Sequence, residues 1–154
     1  MKLAVFYHVY PGKDWEDMFQ SQIGALVVSN LLNAIDYFHI GFNGDLDLMP
    51  TFFGGEGLEL VIQENDNKYE ETDTLRALYE YCRENPGAYV LYMHTKGASR
   101  KTPYTEDWRY FMEYFCIHQW QKATEALTKG HETAGANYQR DTSMGYHPHY
   151  SGGF

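Results

Sequence analysis

The chain has 154 residues, of which 44% are hydrophobic and 21% charged, and its formal net charge is -9 at pH 7. This length fits one domain with a single sizeable core, because a chain of this size divides poorly into two. Nucleic acid is not an expected partner, since non-specific binding to phosphates needs clustered Lys and Arg side chains. An anionic ligand would therefore need a local basic site.

The cysteines and the N-terminus indicate a soluble cytoplasmic protein. Cys82 and Cys116 fall in predicted helices, and two cysteines are too few for a disulfide framework. No signal-peptide cleavage pattern follows the first apolar run, and no apolar run approaches the ~18 residues of a membrane span. We therefore expect a reducing compartment and no membrane span.

Strand and helix patterns alternate along the first half of the chain. A β-branched and aromatic run predicts a strand over residues 3–10. Asp14 is placed to cap a long amphipathic helix, in which apolar residues recur at helical spacing over residues 15–34. Residues 37–42 and 58–63 predict the second and third strands, which are separated by a loop rich in Pro and Gly.

The alternation continues with a second helix and a fourth strand. Thr72 or Asp73 is placed to cap the helix, which ends before Asn85. The segment YVLYMHTKGASR, residues 89–100, begins as a continuous apolar run. Such a run is typical of a strand that is covered on both faces.

The last predicted elements complete an α/β pattern. Thr105 is predicted to cap a third helix that ends at Lys129-Gly130, and a short strand is predicted near residues 135–138. The order β-α-β-β-α-β-α predicts a Rossmann-like three-layer sandwich with a mostly parallel central sheet. We expect it to form one domain over residues 1–154.

Polar residues follow the fourth strand at the point where it ends. Ligands of parallel α/β sheets bind beyond the carboxyl ends of the strands, which is where His94, Thr95 and Lys96 emerge. Lys96 next to Gly97 can reach a phosphate, because the glycine allows close backbone approach and the ammonium supplies a positive charge. Alternatively, Lys96 is a solvated loop residue and His94 a hydrogen-bonded structural one.

The third helix begins with a second candidate cation. Arg109 lies in its first turn, where a guanidinium can help to hold an anion. Alternatively, Arg109 pairs with Glu113 at i+4. Trp108 is expected in the core on its pattern alone.

Two patterns are compatible with a metal ion. His147 and His149 flank a proline in the tail and can ligate a metal together with carboxylates from elsewhere, although this tail can equally be a frayed end. Asp45 and Asp47 have the spacing of paired aspartates that hold a divalent ion, but they follow Asn43-Gly44, which is typical of an ordinary turn.

Glu70 and Glu71 precede the second helix and can act as a base or bind sugar hydroxyls. The alternative, which we favour, is that they complement the helix dipole. The chain has no Gly-rich dinucleotide or P-loop fingerprint, no CxxC zinc pattern and no G-x-S-x-G elbow, so several common enzyme classes are not expected.

Several segments resemble a known group of proteins. TLRALYEYCRENPGAYVLYMHTKGASR, DWRYFMEYFCIHQW, GANY and HPHYSGGF, together with FYHVY and IGFNG, are similar to glycosyltransferase-like proteins of large DNA viruses, phages and bacteria. The marks of that group are a strand that ends in His-Thr-Lys-Gly, a Trp-Arg pair at a helix start and a late His-aromatic-Ser-Gly segment. The His-Thr-Lys element also resembles the rhamnan-synthesis family of bacterial polysaccharide biosynthesis.

The resemblance implies a nucleotide-diphospho-sugar transferase fold of the A type. Catalytic roles then fall to Lys96, Arg109 and Glu71, and His149 is the implied ligand of a divalent Mn²⁺ or Mg²⁺ ion. The implied substrate-binding residues are Tyr7, His8, Asn43, His94, Thr95, Gly97, Trp108 and Ser151. Many such enzymes have an Asp-x-Asp metal motif where this chain has His94-Thr95-Lys96. Either the ion is held differently, or Lys96 and Arg109 neutralise the leaving diphosphate without it.

The expected function is transfer of a sugar from a nucleotide-diphosphate donor to a glycan or other hydroxyl acceptor, in the host cytoplasm if the source is viral. The alternative is a non-catalytic nucleotide-sugar-binding module with the same fold. A remoter alternative is a metal-dependent phosphoesterase built on His94, His147 and His149. The last residues read Ser151-Gly152-Gly153-Phe154 where the group has asparagine and continues. Three alternatives stay open: a minimal catalytic domain, a chain truncated at the C-terminus, or a fold that binds a nucleotide-sugar and transfers poorly.

Overall fold

A four-stranded parallel sheet forms the centre of the computed structural model, which describes residues 2–51, 57–66, 68, 71–95 and 102–136 and the backbone of 138–139 and 149–150. Its strands are β1 (Leu3–Val9), β2 (Tyr37–Phe42), β3 (Glu59–Glu64) and β4 (Tyr89–His94), in the order β3-β2-β1-β4. The chain moves outward from β1 to β3 and then returns to the other side of β1. The topological switch point therefore lies between β1 and β4.

Helices cover both faces of this sheet. The helices are α1 (Trp15–Val28), α2 (Thr72–Glu84), α3 (Pro103–Glu113) and α4 (Trp120–Thr128). A π-helical segment, Tyr114–His118, joins α3 to α4, and Leu46–Leu48 form one 3₁₀ turn. Among the described residues, no helix combines the length and the apolar character needed to cross a membrane.

Alternation along β1 explains the three layers. Successive side chains of a strand point to opposite faces. Tyr7 stacks on Phe19 of α1 with ring centroids 5.6 Å apart, whereas Phe6 meets Tyr81 of α2 edge-on at 5.5 Å. All seven residues of β1 are buried, as expected of a central strand covered on both sides. The predicted α/β sandwich with a parallel sheet is therefore confirmed at this level.

The first helix ends earlier than its apolar pattern predicts. Helical spacing continues to Ala34, but α1 ends at Val28, and Asn30 adopts a left-handed conformation with φ 60°. This conformation is incompatible with a continuing right-handed helix. Leu31 is nevertheless almost fully buried in the core, so apolar spacing persists beyond the helix itself.

The third predicted helix is divided and begins at a different cap. The π-helical segment interrupts it before α4, which Gly130 follows with φ +96°. The cap is Thr102 rather than Thr105: Thr102 Oγ1 accepts from Thr105 N at 3.2 Å, and Thr102 N donates to Thr105 Oγ1 at 2.9 Å. A short strand was predicted near residues 135–138, and the observed strand, β5 (Tyr138–Gln139), begins at the last of these residues. It pairs with β6 (His149–Tyr150) in an antiparallel ribbon.

Replacing the cap of α3 should lower stability moderately. Thr102→Ala removes the acceptor for the N–H of Thr105, and we expect the free energy of unfolding to fall by about 1 kcal/mol. The measurement is urea unfolding followed by circular dichroism. Thr72→Ala is the control: Thr72 is the first residue of α2 and Glu71, not Thr72, is its N-cap, so this change should be neutral or slightly stabilising. Equal losses in the two variants would contradict the assignment of the cap.

Candidate functional site

The carboxyl ends of β1 and β4 meet in register at the switch point. His8 of β1 lies opposite His94 of β4. Beyond this pair, Thr95 N donates to His8 O at 3.1 Å, and Tyr10 N donates to Thr95 Oγ1 at 2.9 Å. Thr95 thus joins the two strand ends through both its backbone and its hydroxyl.

A buried polar cluster forms the floor of this edge on the α2 face. His8 is 5% exposed, and its Nδ1 lies 3.2 Å from Thr74 Oγ1. Asn65 Nδ2 donates to the same Thr74 oxygen at 2.8 Å. Since Thr74 already accepts from Asn65, its hydroxyl proton can go to His8 Nδ1, which favours the His8 tautomer with a proton on Nε2.

The buried imidazole of His8 is neutral at physiological pH. Burial lowers the pKa of His8 from 6.5 to about 4; Glu71 acts in the opposite direction, and His94 lowers it further. A buried cation without a close counter-charge is costly, which explains the direction of the shift. His8 can therefore donate or accept a hydrogen bond near neutral pH but carries no charge for an anionic ligand.

The accessible rim of the edge consists of Tyr92, His94 and Glu71. The rings of Tyr92 and His94 stack with centroids 6.3 Å apart. Tyr92 Oη donates to Glu71 Oε2 at 2.7 Å, and burial together with this carboxylate raises the pKa of Tyr92. Glu71 occupies the N-cap position of α2, where its carboxylate complements the helix dipole, as we favoured from the sequence. Because Glu71 is exposed, its carboxylate is also accessible to a ligand.

A glycine gives the floor its close packing. Gly41 of β2 is buried beside the Thr74 and Asn65 side chains. A Cβ at this position would overlap Thr74 Oγ1 and lie 2.8 Å from Asn65 Nδ2. The polar cluster therefore occupies the space that any other residue at position 41 would need.

A second polar network lies on the opposite face of the same edge. Gln22 of α1 is fully buried; it accepts from Tyr7 Oη and donates to His94 O at 3.2 Å. Glu113 lies against it, and burial raises the pKa of Glu113 from 4.5 to about 7, whereas Arg109 and the hydrogen bond from Gln22 lower it. This network holds the end of β4 against α1 and α3.

Arg109 belongs to this buried network. It is 4% exposed; its Nε lies 3.4 Å from Glu113 Oε1, and its second amino nitrogen lies 3.7 Å from Glu106 Oε1. The i+4 pairing with Glu113, which the sequence allowed as an alternative, is therefore present. Because Arg109 is buried beside these two side chains, the described geometry leaves little of its guanidinium accessible to a diphosphate.

The structure separates the predicted site residues into two groups. His8, His94, Thr95 and Glu71 come together at the β1–β4 edge, whereas Tyr7 is buried on the other face with Gln22. Asn43 follows β2 and is 1% exposed; its backbone N donates to Val9 O at 3.0 Å. Trp108 is half-buried and stacks on Phe111 at 5.3 Å, so it is only partly a core residue.

Some predicted residues lie outside the described part of the chain. These are Glu70, Lys96, Gly97, His147 and Ser151, and His149 is described only as backbone paired with Gln139. Their predicted roles remain predictions.

Sequence reasoning missed the residues that support the site from within. Asn65 follows β3 at the same sheet edge, so the rule that singled out His94 would also have found it. Gln22 is a polar residue among the apolar positions of α1, which is a signal for a buried hydrogen bond. Thr74 carries no such signal, because threonine is common in the first turn of a helix.

The described residues do not form a metal site. Within residues 2–51, 57–66, 68, 71–95 and 102–136, no three His, Cys, Asp or Glu side chains are grouped so that they could hold an ion. At this edge the nearest set is His8, His94 and Glu71, and His8 Nδ1 is already engaged by Thr74. His149, the ligand that the resemblance implies, has no described side chain, so the divalent ion remains a prediction.

Comparisons with known proteins give one match. The profile of a family described as a domain of unknown function (DUF8361) matches residues 6–138, which run from within β1 to the start of β5. No curated protein and no solved structure matches the chain. The matched range contains β2, β3, β4 and the carboxyl-terminal half of β1, and with them the β1–β4 edge and its two polar networks. The chain therefore belongs to the DUF8361 family.

Proposed function

We propose that the chain is a glycosyltransferase of the A-type fold, which binds a nucleotide-diphosphate sugar at the β1–β4 edge and transfers the sugar to a hydroxyl acceptor. The observation that carries this proposal is the strand order β3-β2-β1-β4, which brings the ends of β1 and β4 together with His8 opposite His94. Ligands of such sheets bind at that position.

The proposed roles follow from exposure and charge. His94 and Thr95 lie at the edge where the diphosphate binds, and the Lys96 ammonium neutralises it as it leaves. Arg109 has no assigned part in this step, because it is buried beside Glu113 and Glu106. The floor residues His8 and Thr74 hold the edge in place and supply neutral hydrogen-bonding groups.

The transfer step is assigned to the accessible carboxylate. The acceptor hydroxyl oxygen attacks the anomeric carbon, its proton passes to Glu71, and the bond from that carbon to the diphosphate oxygen breaks. The diphosphate leaves with the bonding electron pair. Tyr92 Oη, 2.7 Å from Glu71 Oε2, orients the carboxylate for this role.

The test is titration calorimetry with UDP, GDP and dTDP, each with and without Mn²⁺. We expect one nucleotide to bind, and we expect Lys96→Ala to weaken this binding about tenfold, because a charge-assisted contact to phosphate is lost. Lys122→Ala is the matched control, since Lys122 is an exposed lysine of α4, and it should bind like the wild type.

Different results separate the two candidate functions. Sugar transfer that is lost in Glu71→Gln while nucleotide binding is kept would support the enzyme. Binding without transfer over a panel of acceptors would favour the non-catalytic module. The burial of Arg109, which leaves this cation inaccessible to the diphosphate, is consistent with that alternative. Equal binding by the Lys96 and Lys122 variants would contradict the assigned diphosphate site.

A further inference from the structure

An aromatic seam runs along one side of α3 and into the π-helical segment. We use the word seam for its four residues, Tyr104, Trp108, Phe111 and Phe115. The rings of Trp108 and Phe111 stack with centroids 5.3 Å apart, and the rings of Phe111 and Phe115 are 4.9 Å apart. This second contact keeps Phe115 on the same side of the helix, although it belongs to the π-helical segment.

The seam is exposed where the surface of a helix is normally polar. Tyr104 is 83% exposed, Phe111 and Phe115 are 40% and 45% exposed, and Trp108 is half-buried. The core contacts of α3 come from another side of the helix, where Met112 is fully buried. A contiguous exposed aromatic surface of this kind marks an interaction site.

The spacing of the seam residues indicates which kind of partner covers them. They follow one another at intervals of four, three and four residues. This is the spacing of positions a and d in a coiled coil, where the side chains of one helix pack between those of a second helix. A stripe of this width therefore suits another helix.

A membrane surface is a poor partner for this seam. Helices that lie in a membrane interface carry Lys and Arg beside their apolar face. Between Pro103 and His118, all of which the structure describes, no exposed residue is a lysine or an arginine, and Asp107 is exposed beside the seam. The formal net charge of -9 would also repel an anionic membrane.

Two polar groups on one border of the seam make it complementary to itself. Asp107 and Tyr114 each immediately precede a seam residue, so they line the same border, about 10 Å apart along the helix. If two such helices pack antiparallel, with Tyr104 opposite Phe115 of the partner subunit, each Asp107 lies opposite Tyr114 of the partner subunit. The carboxylate can then accept a hydrogen bond from the phenol across the interface.

The parallel arrangement lacks this complementarity. In a parallel pair, the residue at position 107 faces position 112 of the other helix, since positions g and e border the seam five residues apart. Met112 is apolar and already buried in its own chain, so Asp107 would have no hydrogen-bonding partner there. The antiparallel arrangement is therefore the favoured one.

We propose that the protein forms a homodimer in which α3 packs antiparallel against α3 of a second copy through the seam. Trp108 packs against Phe111 of the partner subunit, and Asp107 accepts a hydrogen bond from Tyr114 of the partner subunit. The dimer is independent of the sugar-transfer proposal, because the proposed transfer uses no seam residue.

The area of the seam sets the strength of the dimer. The exposed parts of Tyr104, Phe111, Tyr114 and Phe115 amount to roughly 500 Å² per chain, because an aromatic side chain presents about 150–250 Å². Two chains would bury roughly 1,000 Å², which is near the lower limit for a specific interface. We therefore expect a dissociation constant in the micromolar range.

The test is sedimentation equilibrium of the whole chain from ~1 to ~300 μM in ~0.15 M salt, where repulsion between the acidic chains is screened. The wild type should change from monomer to dimer over this range. Phe111→Glu and Tyr104→Glu should each raise the dissociation constant by about tenfold or more, because a carboxylate enters the apolar seam. The exposed position of Tyr104 keeps the test independent of folding.

The matched control is Tyr79→Glu. Tyr79 is an exposed tyrosine of α2, outside the seam, and its substitution changes the net charge by the same amount. This variant should dimerise like the wild type.

A double-variant cycle tests the orientation of the two helices. Asp107→Ala and Tyr114→Phe should each weaken the dimer about tenfold, since each removes one partner of a charge-assisted hydrogen bond. The double variant should weaken it by much less than the product of the two effects. The same cycle on the urea unfolding of the dilute monomer should be additive, because the bond forms only between chains.

Four results would overturn the proposal. The first is a chain that remains monomeric at ~300 μM, well above a micromolar dissociation constant. The second is equal weakening by Tyr79→Glu and the seam variants, and the third is an additive cycle for Asp107→Ala and Tyr114→Phe in the dimer. The fourth is a monomer that binds phosphatidylcholine vesicles or cellohexaose and loses this binding in Tyr104→Glu, which would assign the seam to a lipid surface or a glycan.

Discussion

Gly41→Ala is expected to destabilise the protein by about 3 kcal/mol, because the new methyl group has no space. Its Cβ would overlap Thr74 Oγ1 and lie 2.8 Å from Asn65 Nδ2. Thr74 is 0% exposed and Asn65 is 3% exposed, so neither side chain can turn out to solvent. Moving either one breaks their 2.8 Å hydrogen bond and leaves buried polar atoms without partners.

The measurement is urea unfolding of the variant beside Gly24→Ala. Gly24 lies in α1, and a Cβ there would meet no atom within 4 Å. This control should be stabilised by about 0.5–1 kcal/mol, because alanine favours a helix over glycine. The same chemical change is thus expected to have opposite signs at the two positions.

A double variant tests the physical cause. Thr74→Ala removes the overlapping oxygen, so adding it to Gly41→Ala should cost much less than the sum of the two single changes. Additive losses would show that the overlap at Thr74 is not the cause. Because Thr74 also contacts His8, nucleotide binding by the folded double variant would report on the floor of the β1–β4 edge.

The sequence was sufficient for the order of the strands and helices of the central sandwich. Strand periods and apolar runs predicted all four strands of the sheet to within one residue at most ends, and residues 37–42 matched β2 fully. Local signals carry this information, since burial on both faces leaves a readable pattern in β4. The ends of helices were less predictable, because Asn30 and the π-helical segment depend on packing rather than on apolar spacing.

The partners within the site needed the three-dimensional structure. Tyr7 and His8 are consecutive in β1, and alternation alone implies that they face opposite sides of the sheet. The prediction that both contact one ligand did not use that rule. The bond from Gln22 to His94 O joins residues 72 positions apart, and its formation depends on how α1 is rotated against the sheet. Similarly, i+4 spacing predicts that Arg109 can meet Glu113, but not that the pair is buried.

The two buried titratable groups of the edge should give opposite pH dependences of stability. The pKa of Glu113 is raised to about 7, so between pH 4.5 and 7 the folded state holds a proton that the unfolded state releases. Stability therefore falls as pH rises through this window. The pKa of His8 is lowered to about 4, so between pH 4 and 6.5 the unfolded state holds the extra proton, and stability rises with pH.

Each group contributes about 1.4 kcal/mol per pH unit inside its window, or roughly 3 kcal/mol in total. In the wild type the two contributions nearly cancel between pH 4.5 and 6.5. Glu113→Gln removes the contribution of Glu113, which falls with pH. The free energy of unfolding of this variant should therefore rise by about 2–3 kcal/mol between pH 4.5 and 6.5. His8→Asn removes the contribution of His8, which rises with pH. The free energy of unfolding of this variant should therefore fall by a similar amount over the same pH range.

The measurement is urea unfolding of the three proteins at half-unit pH steps from 4 to 7.5, and the slopes are compared rather than the absolute values. Each substitution also changes the contacts of a buried network, but that effect is the same at every pH, so only the loss of titration changes the slope. All other groups contribute the same background to the three proteins. If the Glu113→Gln slope matched the wild type, the buried carboxyl of Glu113 would be ionised by Arg109 throughout, and the network on the α3 face would be a permanent ion pair.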